Sequence, residues 1–268
     1  IPSVDDPTVG INGYAPITVH WTDPPGRDEA FKQAEIAKFG YTKWAQEYEC
    51  QFISEDKTLI DQLVLATVDK RAKGIEPFDV KNDVTFFEEP IEDATYVVGV
   101  DPATGTGSDY TTIVAFRFPE MKQVAEFRSN STSSVMVYHI LKRLLKTYEN
   151  AGAKASYFSV ENNGVGEGII ALYESDETVV DNAEFVSEDG RNRLGMTTTH
   201  KSKLQACLTM KDMIERHMME INSKVLAAEL KTYVRTGASY AAKKGSTDDL
   251  VSSVLICMRI IALMASYD

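Results

Sequence analysis

Two short runs of β-forming residues in this chain end on a carboxylate, and a third acidic group opens its last apolar helix. The first run is Tyr96-Val-Val-Gly-Val followed by Asp101, and the second is Tyr157-Phe-Ser-Val followed by Glu161. The third group is Asp248-Asp249, directly before Leu250-Val251. If the two runs are neighbours in a parallel-type sheet, their carboxylates share one edge, and a helix start can bring the third group there. Hard oxygen ligands suit Mg²⁺ or Mn²⁺, and a pair of such ions is a standard means of cleaving phosphodiesters. Asp109 lies eight residues beyond Asp101, across a Gly105-Thr-Gly107 turn, and a hairpin there returns it to the same edge.

The rest of the chain supplies elements in a consistent order. Ile17–Trp21 reads as a short β run, and Arg27–Phe39 and Tyr41–Phe52 read as helices parted by Gly40. Residues 53–95 show weak periodicity, scattered charges and two prolines, and read as a connecting region. Tyr96–Val100, Thr111–Phe118 and Gln123–Phe127 are three strands in a meander. Ser131–Tyr148 is an amphipathic helix with Val137, Leu141, Leu144 and Tyr148 on one stripe. A strand at Ala155–Val160, a helix over 165–173 and a short strand at Ala183–Val186 follow. Gly190–Lys203 reads as a basic loop, Leu204–Glu220 and Ala227–Tyr233 as helices, and Ser239–Ala242 as a short β element. Asp249–Ala265 closes the chain as a helix. This order is that of an α/β, ribonuclease-H-like mixed sheet flanked by helices, with an N-terminal helical and irregular extension.

A net charge of −12 is ill suited to a polyanionic substrate, but it is unevenly spread. Residues 1–95 hold nine Lys+Arg against nineteen Asp+Glu, while residues 96–268 hold nineteen against twenty-one. With the five carboxylates named above neutralised by metal, the second part becomes slightly basic, which permits DNA as a partner without demanding it. Cys50, Cys207 and Cys257 are odd in number and show no CxxC spacing, which suggests a reducing compartment and no structural zinc. Val251–Ala265 is too short for a bilayer and carries Arg259, so no membrane partner is expected.

Each motif also has an ordinary reading. Asp101 can close a strand, Glu161 can sit at a helix N-terminus, and Thr-Asp-Asp is a good helix start. Asp-Pro-Ala-Thr-Gly-Thr-Gly also resembles the phosphate-cradling turn of actin-like and sugar kinases. A half of such an ATPase, or a non-catalytic interaction domain, is therefore the alternative to a nuclease. One basic group comprises Arg191, Arg193, His200, Lys201 and Lys203, and another Lys243 and Lys244. Both flank segments expected near the acidic edge and are candidates for DNA phosphate contact. His139, His217 and the Met210–Met219 stretch read as structural. No GxxxxGK[ST] sequence is present, so no P-loop motor is expected here.

Val98-Gly-Val-Asp101, with Gly-x-Gly-x-Asp109-Tyr-Thr after it, resembles the nuclease domain of large terminase subunits from tailed bacteriophages. So do Val160-Glu161-Asn-Asn-Gly164, Leu194-Gly-Met-Thr-Thr-Thr-His-Lys201 and Ser239–Val251, and the likeness is closest to the myovirus-type enzymes. His20-Trp21, Pro25-Gly-Arg27-Asp28 and Gln46–Phe52 are similar to the segment where such proteins leave their ATPase domain. The resemblance implies three regions: residues 1–60 as the end of an ATPase domain, 61–95 as a connector, and 96–268 as the ribonuclease-H-like nuclease. It implies an endonuclease that cuts concatemeric double-stranded viral DNA during genome packaging in the host cytoplasm. It further implies a preceding ATPase motor, a small terminase subunit and a portal as partners. Asp101, Glu161 and Asp249 are then the catalytic and metal-binding triad for two Mg²⁺ or Mn²⁺ ions, with Asp109 and Asp248 either as auxiliary ligands or behind the direct ligands. Asp101 bridges the two ions, roughly 3.5–4 Å apart, in that mechanism. Thr247 stands where many relatives carry His.

Overall fold

The computed structural model describes residues 19–39, 44, 47–49, 58–107, 109–178, 180–188 and 193–267. The chain divides into two compact units, residues 1–55 and 56–268. In the first, α1 (Glu29–Phe39) starts beside Asp28, whose carboxylate accepts the Phe31 N–H at 2.9 Å. Trp44 is buried there, stacked on Tyr48 at 4.3 Å and edge-on to Trp21 at 5.0 Å. The expected β run at 17–21 does not form over its described part: Val19 and His20 are irregular, and Trp21 opens a turn. Most of the Tyr41–Phe52 helix expectation, and Cys50, lie outside the described residues.

The second unit is built on a seven-stranded sheet in the order β1-β2-β5-β4-β3-β6-β7. Its strands are β1 (Asp79–Lys81), β2 (Val84–Phe86), β3 (Thr95–Asp101) and β4 (Thr111–Phe118). They continue as β5 (Lys122–Ser129), β6 (Ala155–Val160) and β7 (Ala183–Phe185). The β3–β4–β5 meander is antiparallel, whereas β3–β6 and β6–β7 are parallel. Residues 61–95 are more than a connector. They form α2 (Gln62–Lys73), capped by the Asp61 side chain, and β1 and β2, the latter paired with β5. Periodicity misses this because the two strands are only three residues long and α2 buries only Leu65 and Ala72.

Strand β3 is buried from Tyr96 to Val100, so its two faces are read by alternation. Tyr96, Val98 and Val100 face a core with α3 (Ser134–Asn150) and α4 (Gly164–Ser175). Val97 belongs to the opposite core, filled by α5 (His200–Glu215), α6 (Lys224–Thr232) and α7 (Asp249–Tyr267). Gly99 shares the second face, and a Cβ there would lie 2.2 Å from the Ser253 carbonyl oxygen. Only glycine lets α7 lie this close to β3. Asp101 has the same parity as Val97 and Gly99, which puts its carboxylate on the α7 side.

Two further boundaries differ from the sequence expectation. The basic segment 190–203 is not a loop throughout, because α5 begins at His200 with Thr199 as N-cap in a capping box with Ser202. Tyr233 starts β8 (Tyr233–Thr236) rather than ending a helix, and β8 pairs with β9 (Ser239–Ala242). Among the described residues no helix is long and apolar enough to cross a membrane.

Candidate active site

The parallel register of β3 and β6 pairs Val100 with Val160, and the Glu161 N–H donates to the Val100 carbonyl at 2.9 Å. Glu161 therefore stands beside Asp101, on the next strand and with the same parity. Their carboxylates are close enough to interact directly. Burial first, then Glu161 and then Asp249, push the Asp101 carboxyl well above the usual carboxylate range. Asp249 is raised too, by burial, while the Tyr110 backbone amide and Arg128 draw it back. Asp249 Oδ2 is buried and has no hydrogen-bond partner.

Local chemistry holds each group in place. Asn163 Nδ2 donates to Glu161 Oε2 at 3.0 Å and to the Pro102 carbonyl at 3.2 Å. The Asn163 Oδ1 accepts the Gly166 N–H at 2.9 Å and caps α4. A Cβ on Gly166 would fall 1.9 Å from the Glu161 carbonyl oxygen, so the close approach of α4 to the end of β6 requires glycine. On the other flank the Asp101 N–H donates to Ser253 Oγ at 3.1 Å, and Ser253 Oγ lies 2.7 Å from Thr112 Oγ1. Thr112 Oγ1 donates to the Asp249 carbonyl at 2.8 Å, which fastens the first turn of α7 to the strand ends.

The acidic pair divides its tasks. Asp248 Oδ2 accepts the Ala242 N–H of β9 at 3.2 Å, while Asp249 keeps a buried oxygen unpaired and its charge acts on Asp101. Asp109 is exposed at the rim and acts on Asp249 from there. Among the described residues no group of three or more His, Cys, Asp or Glu side chains stands already arranged to hold an ion. Fit to a metal is therefore judged on the donors. These are carboxylates only, two of them raised by burial and by neighbouring carboxylates, with one buried oxygen unpaired. Such a set suits a hard divalent cation.

The basic candidates are less concentrated. Arg193 is exposed and pairs with Glu167 at 2.8 Å. His200 and Lys201 are exposed in the first turn of α5, where cations oppose the helix dipole. Lys203 is half-buried, its ammonium 5.8 Å from the Tyr233 ring centre. Lys243 and Lys244 are exposed after β9, and Arg191 lies outside the described residues.

Several groups near the acidic edge escaped sequence reasoning. Glu229 of α6 is buried, accepts Thr247 Oγ1–H at 2.9 Å and the Val251 N–H at 3.2 Å, and has Arg128 Nε at 3.9 Å. Burial pushes its carboxyl up to about 7, with Asp249 adding to the effect and Thr247, Val251 and Arg128 opposing it. Thr247 thus has a definite partner in Glu229. Arg259, the one charge inside the apolar α7 stretch, reaches Glu188 and donates to the Thr197 carbonyl at 3.0 Å. A charged residue amid apolar ones was the only available signal for Arg259, and none marked Glu229.

A mixed sheet in this order, with carboxylates gathered where its central parallel pair ends, defines a ribonuclease-H-like domain. Residues 98–259 match the terminase RNaseH-like domain family, and the chain belongs to that family. Among solved structures it is similar to the large terminase nuclease of the thermophilic phage G20c with bound magnesium. That similarity has 16% identity and a TM-score of 0.59, covering 77% of this chain and 98% of the other. The same phage protein with bound cobalt aligns at 17% identity and TM-score 0.57, over 77% and 98%. The large terminase nuclease domain of Thermus phage P74-26 aligns at 18% identity and TM-score 0.53, over 72% and 93%. At these identities the likeness is one of fold. The family match leaves the Asp101–Gly107 turn without support as an actin-type phosphate cradle.

Proposed function

We propose that this domain is a divalent-metal-dependent endonuclease that hydrolyses double-stranded viral DNA in concatemers during genome packaging. The observation that carries the reading is the meeting of Asp101, Glu161 and Asp249 at one sheet edge, with Asp249 Oδ2 buried and unpaired. Asp101, Glu161 and Asp249 would hold two Mg²⁺ or Mn²⁺ ions, with Asp109 and Asp248 in supporting positions. Bound there, the ions would make water a stronger nucleophile toward phosphorus and offset charge on the leaving 3′ oxygen.

The chain's own residues prepare that site. Asn163 fixes the direction of the Glu161 carboxylate, and the Ser253–Thr112 pair holds the Asp101 backbone against α7. The raised Asp101 carboxyl means that cation binding displaces a proton, so occupancy rises with pH. Arg193, His200, Lys201, Lys203, Lys243 and Lys244 would contact DNA phosphates, together with Arg191. Residues 1–60 would continue an ATPase domain, 61–95 would lead from it into the nuclease and supply the outer strands β1 and β2 of its sheet, and 96–268 would hold the cutting residues. The ATPase domain, small terminase subunit and portal are its proposed partners, in the host cytoplasm during assembly.

Nicking of supercoiled plasmid tests this reading, using wild type with Mg²⁺, with Mn²⁺ or with EDTA, and Asp101→Asn with Mg²⁺. Metal-dependent nicking that Asp101→Asn abolishes is expected. Nicking that survives EDTA, or a wild-type rate from Asp101→Asn, overturns it.

A further inference from the structure

The cross-strand register extends the site beyond its carboxylates. Asp101 on β3 pairs with Thr112 on β4, and Thr112 pairs with Arg128 on β5. With Glu161 beside Asp101, one row of side chains crosses four strands on the α7 face, running from two acids through a threonine to a guanidinium. Two strand spacings, about 10 Å, separate the Arg128 backbone from that of Asp101.

The Arg128 side chain is held but not saturated. Its guanidinium carbon lies 3.2 Å from the Tyr110 ring centre, a stacked arrangement that fixes the plane of the fork. Its Nη2 reaches Thr247 Oγ1 at a long 3.4 Å. Nε is buried without a hydrogen-bond partner, and the nearest carboxylate oxygen, on Glu229, is 3.9 Å away. The side chain keeps about a quarter of its surface exposed. A guanidinium tied to its internal carboxylate would show a short bidentate pair, as Arg–carboxylate contacts usually do. Here the donors remain in excess.

We infer that Arg128, stacked on Tyr110, grips the DNA phosphate next to the one being cut. This rests on the nuclease reading above and adds a substrate contact to that site. The planar fork matches the oxygens of a phosphodiester, and the Tyr110 stack orients it before DNA arrives. Glu229 and Thr247 also stand against the guanidinium, so the contact orders few new side-chain rotamers. The DNA strand would then run along the sheet edge from the acids to Arg128, past the first turn of α7 that covers Thr112, with the cut phosphate at the acids and its neighbour at Arg128.

The experiment uses Asp101→Asn as a non-cutting background and measures affinity for a short duplex in Mg²⁺ over a range of salt. Adding Arg128→Gln should weaken binding to all sequences and reduce the slope of log affinity against log salt by about 0.9, the value for one phosphate. Arg128→Lys should keep most of that slope. Glu229→Gln, which leaves the arginine in place, should keep all of it. If Arg128 only balances Glu229 and Asp249, Arg128→Gln leaves the slope unchanged, and its thermal destabilisation is relieved by Glu229→Gln. That result overturns the inference but not the nuclease reading. Absence of DNA binding by Asp101→Asn and wild type alike overturns both.

Discussion

The two faces of the central sheet bury different chemistry. Toward α3 and α4 lie aliphatic and aromatic side chains, among them the Tyr96–Tyr148 stack at 3.8 Å and the Phe158, Tyr173 and Phe185 cluster. Its charged groups stay toward the rim, where Tyr138 and Lys142 both meet Asp176. Toward α7 the same sheet buries Thr112, Ser253, Glu229 and Arg259 and gathers the raised carboxyls of Asp101 and Asp249. Burying apolar area stabilises a fold, whereas burying carboxylates without a cation opposes it. Both faces therefore bury an apolar core, and the α7 face also carries at one end a polar and acidic cluster whose burial opposes that stability.

Substitutions can separate the two faces. On the α7 side, Asp101→Asn, Asp249→Asn and Glu161→Gln should each reduce Mg²⁺-dependent cleavage by at least about 10²-fold, the scale for losing one preorganised charge contact. Asp248→Asn should be milder, since its carboxylate is engaged with the Ala242 N–H. All four should keep a native far-UV spectrum, and equal losses in Asp248→Asn and Asp249→Asn would contradict the division between them. On the other face, Leu141→Ala should cost about 2–5 kcal/mol in denaturant unfolding. Its cleavage rate per folded molecule should stay at the wild-type level. A specific activity that falls with Leu141→Ala would mean that the faces are not independent.

What the sequence revealed follows from how far along the chain each interaction reaches. Asp101 and Glu161 were legible because a run of β-formers ending in a carboxylate is a local signal, and parallel pairing brings such ends together. The α3 stripe and the three-strand meander were legible by period. Residues 61–95 were not, since three-residue strands hold too few alternations to register. Glu229 looked like any helix glutamate, because its burial arises from Thr247 and Val251, eighteen and twenty-two residues away. Arg128 was hidden for the same reason, its place at the acidic edge being set by cross-strand register. The basic groups suggested a DNA path, but their pairing could not be foreseen, and Arg193 is partly neutralised by Glu167.

A smaller effect tests the electrostatic side of the comparison. Asp101 and Glu229 both have folded-state values raised above the unfolded ones. Their favourable contribution is complete below the unfolded carboxylate range and is lost as pH rises through the raised values, for Glu229 through about 7. In EDTA the melting temperature should therefore fall between about pH 5 and pH 8. Mg²⁺ favours the ionised form of Asp101 and should flatten that decline. With a Kd of roughly 0.1–1 mM, about 10 mM Mg²⁺ adds on the order of 1.5–3 kcal/mol, a few degrees in melting temperature. Asp101→Asn should melt higher than wild type in EDTA and lose most of the Mg²⁺ response. Identical Mg²⁺ responses in the two proteins would make Asp101 an ordinary strand-end residue.

The smallest expected effect distinguishes two exposed cations, Lys201 in α5 and Arg193 in the segment before it. Lys201 stands in the first turn of α5, against the helix dipole, whereas Arg193 already pairs with Glu167 at 2.8 Å. A cation that neutralises one phosphate contributes about −0.9 to the slope of log affinity against log salt. Lys201→Ala should flatten the slope by nearly that amount. Arg193 must first give up Glu167 to reach DNA, so its net contribution is smaller, and Arg193→Ala should flatten the slope less. Removing Glu167 frees Arg193, and Glu167→Gln should therefore steepen the slope and tighten binding. That gain should vanish in the Arg193→Ala background, because the carboxylate then has no cation to release. If Glu167→Gln tightens binding equally with and without Arg193, the carboxylate repels DNA directly, and Arg193 belongs to a surface ion pair rather than to the DNA path.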